Sequence, residues 1–134
     1  MFQKYRLPCV LLICLALKIS TASAGFLGGL QSISVEDSSV KSAAQTVMEK
    51  INRHNERERG LILVEIEEAK YQVVSGIKYV LHLKIGETNC PKGQVVKKCK
   101  LDESRPLLAC GAEILDQPWL HSTKINHHCE EYYI

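Results

Sequence analysis

The chain predicts an α+β domain in which four or five antiparallel strands lay the apolar face of their sheet on one long helix. Three observations carry this. A single apolar stripe at helical period occupies residues 38–59. The pattern turns to strand character immediately after Gly60. Four cysteines downstream of an N-terminal leader suit a small, disulfide-braced fold.

The leader comes first. Lys4 and Arg6 give a positive start, and Leu7 to Leu17 is an apolar run too short to span a bilayer. Ala22-Ser23-Ala24 is a small-residue cleavage site. Residues 1–24 are therefore expected to be a signal peptide, with one domain at 25–134. Lys4, Arg6 and Lys18 leave with it, so 17 basic side chains fall to 14 against an unchanged 15 acidic ones. That near-neutral balance gives no footprint for nucleic acid; Lys92, Lys97, Lys98 and Lys100 form only a local cluster. No later segment is long and apolar enough to span a membrane as a helix.

Val40, Ala43, Ala44, Val47, Met48 and Ile51 form the helical stripe. Asp37 or Ser38 suits the N-cap, and Gly60 is read as the stop after the charged stretch Arg53 to Arg59. Leu61 to Val74 then reads as a strand. Ile77 to Ile85 alternates, with Tyr79, Leu81, Leu83 and Ile85 on one face and Lys78, His82 and Lys84 on the other. The two runs meet in a hairpin at Val74-Ser75-Gly76, where Gly76 can take positive φ cheaply. Residues 89–106, with two Cys, Pro91, Gly93 and Pro106, read as an irregular loop. Strands return at Leu107 to Leu115 and Leu120 to Tyr133.

Cys9 and Cys14 lie in the leader. Cys90, Cys99, Cys110 and Cys129 remain, an even set that predicts two disulfides in one of three connectivities. If Cys110 pairs with Cys129, the bridge joins neighbouring antiparallel strands and the turn between them falls at Pro118-Trp119. Proline fits there and not in a central strand.

Three short segments are candidate binding elements. Gln72-Val73-Val74-Ser75-Gly76 alone reads as ordinary hairpin chemistry. Pro118-Trp119 alone reads as a turn whose Trp either packs on the core or stands out as an anchor. Gly28-Gly29 alone reads as a flexible arm. Enzyme readings are weaker: the even cysteine count argues against a free thiol nucleophile. His127-His128 reads as a solvated pair without zinc-ligand spacing nearby. Glu67-Glu68 and Glu130-Glu131 carry no pocket signal. No cofactor or metal is expected.

In order and spacing, Gly28, Gln72 to Gly76 and Pro118-Trp119 resemble the contact segments of the secreted (type 2) cystatins, protein inhibitors of papain-like cysteine proteases. The resemblance covers nearly the whole mature chain. It implies a cystatin-like sheet wrapped around the helix, and the pairs Cys90–Cys99 and Cys110–Cys129. It also implies a wedge that blocks the cleft of proteases such as cathepsins. Phe26, Leu27 and Gly28 would take the unprimed subsites; Gln72, Val73, Val74, Ser75, Gly76, Pro118 and Trp119 would cover the catalytic centre and the primed side. A monomer is expected. Backbone strain at Val74, a further implication of the resemblance, would favour opening of the hairpin into a domain-swapped dimer. Some cystatins inhibit legumain through an Asn after the helix. Here Asn55-Glu56-Arg57 lies in that region without the usual Ser-Asn-Asp context. The competing reading is a cystatin-fold host-defence or binding module without protease inhibition.

Overall fold

The computed structural model describes residues 29–93 and 98–133. The leader and the N-terminal candidates Phe26, Leu27 and Gly28 lie outside them. Five strands form one antiparallel sheet in chain order: β1 (Gln31–Ser32), β2 (Arg59–Val74), β3 (Gly76–Pro91), β4 (Leu107–Gln117) and β5 (Ser122–Tyr132). One helix, α1 (Ser38–Arg53), packs on its inner face.

The apolar stripe is what seats α1. Val40, Ala43, Ala44, Val47, Met48 and Ile51 are all buried, against Leu81, Leu83 and Ile85 of β3 and Leu108, Ala112 and Ile114 of β4. Asp37 is the N-cap. Its carboxylate accepts from the Ser39 amide at 2.9 Å and the Ser39 hydroxyl at 2.6 Å, which holds its pKa below the usual carboxylate value.

The helix is shorter than the sequence pattern suggested. It ends at Arg53, not 59, and Gly60 lies inside β2 instead of stopping a helix. The stripe explains this. After Ile51 its next positions are Asn55 and Glu58, so further turns would bury nothing apolar. Asn52 ends the helix by imitating a strand partner. Its carboxamide donates to the Leu61 carbonyl at 2.9 Å and accepts from the Leu61 amide at 3.0 Å. Other boundaries also move. β2 starts at Arg59, β3 continues to Pro91 into the expected loop, and β5 begins at Ser122 because 118–120 forms a turn of 3-10 helix.

β2 does not alternate simply, and its register says why. The pairing with β3 shifts between Arg59 and Leu61, between Leu63 and Glu65, and between Ile66 and Glu68. The second and third shifts each insert one residue into β2, Val64 and Glu67, and change which parity faces inward; at the first the extra residues lie on β3, between Glu87 and Pro91. Leu61 and Leu63 face α1, then Ile66, then Ala69, all in the core or packed on it. The run Leu61-Ile62-Leu63-Val64-Glu65-Ile66-Glu67-Glu68 is thus a strand with two extra residues, and the bulges supply the bend that curves the sheet around the helix.

Cys90–Cys99 and Cys110–Cys129 are the disulfides, the second between directly opposed residues of β4 and β5. At the same end of the molecule Glu87 is buried and shared by two arginines. Arg57 Nη1 lies 2.9 Å from one carboxylate oxygen and Arg105 Nε 3.6 Å from the other, while Arg57 also pairs with Glu131 of β5. The pairing with both glutamates raises the Arg57 pKa. This network ties the α1–β2 loop to β3 and β5. Glu87→Gln is expected to lower stability by about 1.5–3 kcal/mol, the range for a hydrogen bond to a charged group. Denaturant unfolding measures it; a loss below about 0.5 kcal/mol would mean that solvent screens the network.

Candidate functional site

The site is built at one end of the sheet, where β2 turns into β3 and β4 turns into β5. The first turn is very tight. Val74 is opposite Gly76 in the register, leaving Ser75 alone at the apex. Gly76 takes φ 120°, in the region that glycine tolerates and L side chains avoid. It also has no room for a side chain: a Cβ there would lie 2.4 Å from the Asp116 carbonyl oxygen. Gly76 is buried, so the turn packs directly on the end of β4.

Val74 does not take the left-handed region. Among the described residues the positive-φ positions are Gly76, Gly93 and His121, so glycine absorbs the reversal in this turn.

The second turn is the 3-10 segment Pro118–Leu120, with Pro at its start, where a missing N–H costs nothing. His121 closes it at φ 46°, its amide donating to the Pro118 carbonyl at 3.0 Å. Pro118 is exposed. Trp119 is 61% exposed, so it stands out from the surface and is not part of the core.

The two turns touch. Ile77 is opposite Asp116 in the β3–β4 register, and the Gln117 carboxamide reaches Ser75. Sequence reasoning named Gln72 to Gly76, Pro118 and Trp119, and the fold brings them to one rim. Gln72 sits one step inside, opposite Lys78. Two neighbours were missed. Ile77 is 42% exposed, and Leu120 is as exposed as Trp119. A large apolar residue beside a predicted turn was the available signal. With Val73 and Val74, also exposed, they make a contiguous apolar edge in a region where burial would be the norm for such residues.

β1 lies along the part of β2 that leads to this rim. Ser32 pairs with Lys70 and Gln31 with Tyr71, so moving back along the chain from Gln31 moves toward Val74. The Tyr71 hydroxyl donates to the Gln31 side-chain oxygen at 2.9 Å and pins the strand.

The family model for the cystatin domain matches residues 28–119. Cystatin-1 of Crotalus adamanteus is 33% identical over 128 residues, covering 88% of this chain and 92% of that protein. The cystatin of Gallus gallus is 30% identical over 127 residues, covering 87% and 91%. Among solved structures, dimeric human cystatin F superposes with a TM-score of 0.69 at 27% identity, covering 83% of this chain and 93% of that one. The domain model runs through the first turn and into the second, the relatives match almost end to end, and the five-stranded sheet on one helix is theirs as well. This chain belongs to the cystatin family, whose members inhibit cysteine proteases and are not enzymes.

Proposed function

We propose that the chain is a secreted, reversible, competitive inhibitor of papain-like cysteine proteases of the cathepsin type. It would act outside the cell after removal of residues 1–24. The observation that carries this reading is the exposed apolar edge of Val73, Val74, Trp119 and Leu120 on two touching turns. Such an edge is costly to leave in water unless something covers it. A protease cleft is a partner of the right shape. Inhibitor interfaces bury roughly 800 Å² on each side, and two turns plus an arm at Phe26, Leu27 and Gly28 suffice for that area. Gln72 and Ser75 flank the apolar contacts with polar groups, and Gly76 and Pro118 fix the turn backbones. Pre-formed turns lose little freedom on binding, so affinity needs no covalent bond.

Titration of residues 25–134 against papain tests the reading. Competitive, stoichiometric inhibition is expected. No inhibition at micromolar concentrations would favour a cystatin-fold binding or host-defence module instead.

Trp119→Ala should weaken papain binding by about 2 kcal/mol or more, the scale of a hot-spot residue, with little change in melting temperature. Unchanged affinity would remove Trp119 from the contact set.

Legumain inhibition is expected to be poor. Asn55 is engaged within its own loop, its carboxamide donating to the Arg59 carbonyl at 2.7 Å and accepting from the Arg57 amide at 2.9 Å. Nanomolar inhibition of legumain would contradict this.

The protein is expected to act as a monomer. Joining β2 and β3 into one strand would permit exchange between two chains, and the human relative named above is described as dimeric. That exchange would abolish the turn at Val74-Ser75-Gly76. Any dimer separated by size exclusion after mild heating should therefore be inactive against papain; a fully inhibitory one would show that the turn survives or is not needed.

A further inference from the structure

We propose that Gln117 is a positioning residue that locks the two turns into one rigid rim, and that this lock lengthens the life of the protease complex. The second half rests on the inhibitory reading above; the first does not.

Ile77–Asp116 is the last opposed pair of the β3–β4 ladder toward the rim. Beyond it the main chain of β4 leads into Pro118, which has no N–H to offer. The first turn, for its part, holds Ser75 between the opposed Val74 and Gly76. The Gln117 side chain fills this gap. Its Nε2 lies 2.6 Å from the Ser75 carbonyl oxygen and 3.3 Å from the Ser75 hydroxyl, across 42 residues of sequence. A carbonyl oxygen only accepts, so the atom facing it is the carboxamide nitrogen. The stem contributes too. A Cβ on Gly76 would lie 2.9 Å from the Gln117 Cγ, so the absent side chain of Gly76 is what lets Gln117 lie flat against the turn.

The geometry makes one residue the side-chain link between the apex of the first turn and the root of the second. Gln117 immediately precedes Pro118-Trp119, so fixing its side chain also fixes the start of the turn that carries Trp119. A rim held in its binding shape gives up less freedom on docking. Loss of such a lock acts mainly on dissociation, because encounter with the protease does not depend on it.

The test uses Gln117→Leu, which keeps bulk without a donor, and Gln117→Glu, which sets a carboxylate against the Ser75 carbonyl. Amide hydrogen exchange of the free protein reads the lock. Both variants should exchange several-fold faster at Ser75 to Ile77, with Leu81, Leu83 and Ile85 unchanged. Papain kinetics read the consequence. Dissociation should rise about two- to tenfold, as expected for one neutral hydrogen bond, with association and melting temperature nearly constant. Unchanged exchange at Ser75 to Ile77 in both variants would refute the lock. Faster exchange with unchanged dissociation would refute its effect on complex lifetime. A wild-type protein that does not bind papain would overturn the inhibitory reading, while the exchange data would still decide the lock.

Discussion

The bulged pairing of β2 with β3 is the constraint on which the rest depends. Both strands are 16 residues long, and a flat ribbon of that length could not stay on one short helix. The bulges at Val64 and Glu67 bend β2 and alternate its parity, so that Leu61, Leu63, Ile66 and Ala69 all reach the core from a curving strand. Leu81, Leu83 and Ile85, on a stretch of β3 without an inserted residue, keep strict alternation and bury completely or nearly so. Curvature on one strand and regularity on its neighbour together make the concave face that holds α1.

The same ribbon carries its far end out of the core. Val73 and Val74 are consecutive, hence on opposite faces of the strand, and both are exposed. The hairpin tip is therefore bare on both sides, a poor arrangement for stability and a good one for insertion into a groove. The β4–β5 turn stands beside it because Ile77 pairs with Asp116. At the opposite end Asn52, Arg57, Glu87 and the Cys90–Cys99 bridge secure the helix exit and the loop beyond β3. The charged and disulfide fixings are thus gathered away from the rim, which keeps its apolar side chains in solvent and is braced by the Gln117–Ser75 link.

Much of this was legible in the sequence. The stripe from Val40 to Ile51 names every buried residue of α1, and the alternation from Tyr79 to Ile85 gives the inner face of β3. Both signals survive because each residue has one environment along a regular element. The errors fell where a single residue serves a nonlocal purpose. Gly60 resembles a helix stop, but the helix ends earlier because its stripe ends and Asn52 finds Leu61. Asn89 and Pro91 resemble loop, yet β2 is long enough to pair that far. Of the candidate site, the turn residues were readable from local chemistry. Ile77 and Leu120 gave only a weak signal, since an apolar residue beside a turn is normally buried, and it takes the fold to show that they are exposed among the described residues. Gln117 was invisible for a similar reason: its partner is 42 residues away.

The central claim is that the two turns act as one binding edge. Hydrogen exchange of the protein alone and saturated with catalytically inactivated papain tests it directly. The account predicts new protection at Val73 to Ile77 and at Trp119 to His121 together, with the outer face at Lys78, His82 and Lys84 unchanged. Protection centred on the α1–β2 loop or the outer face, with both turns still exchanging freely, would contradict it.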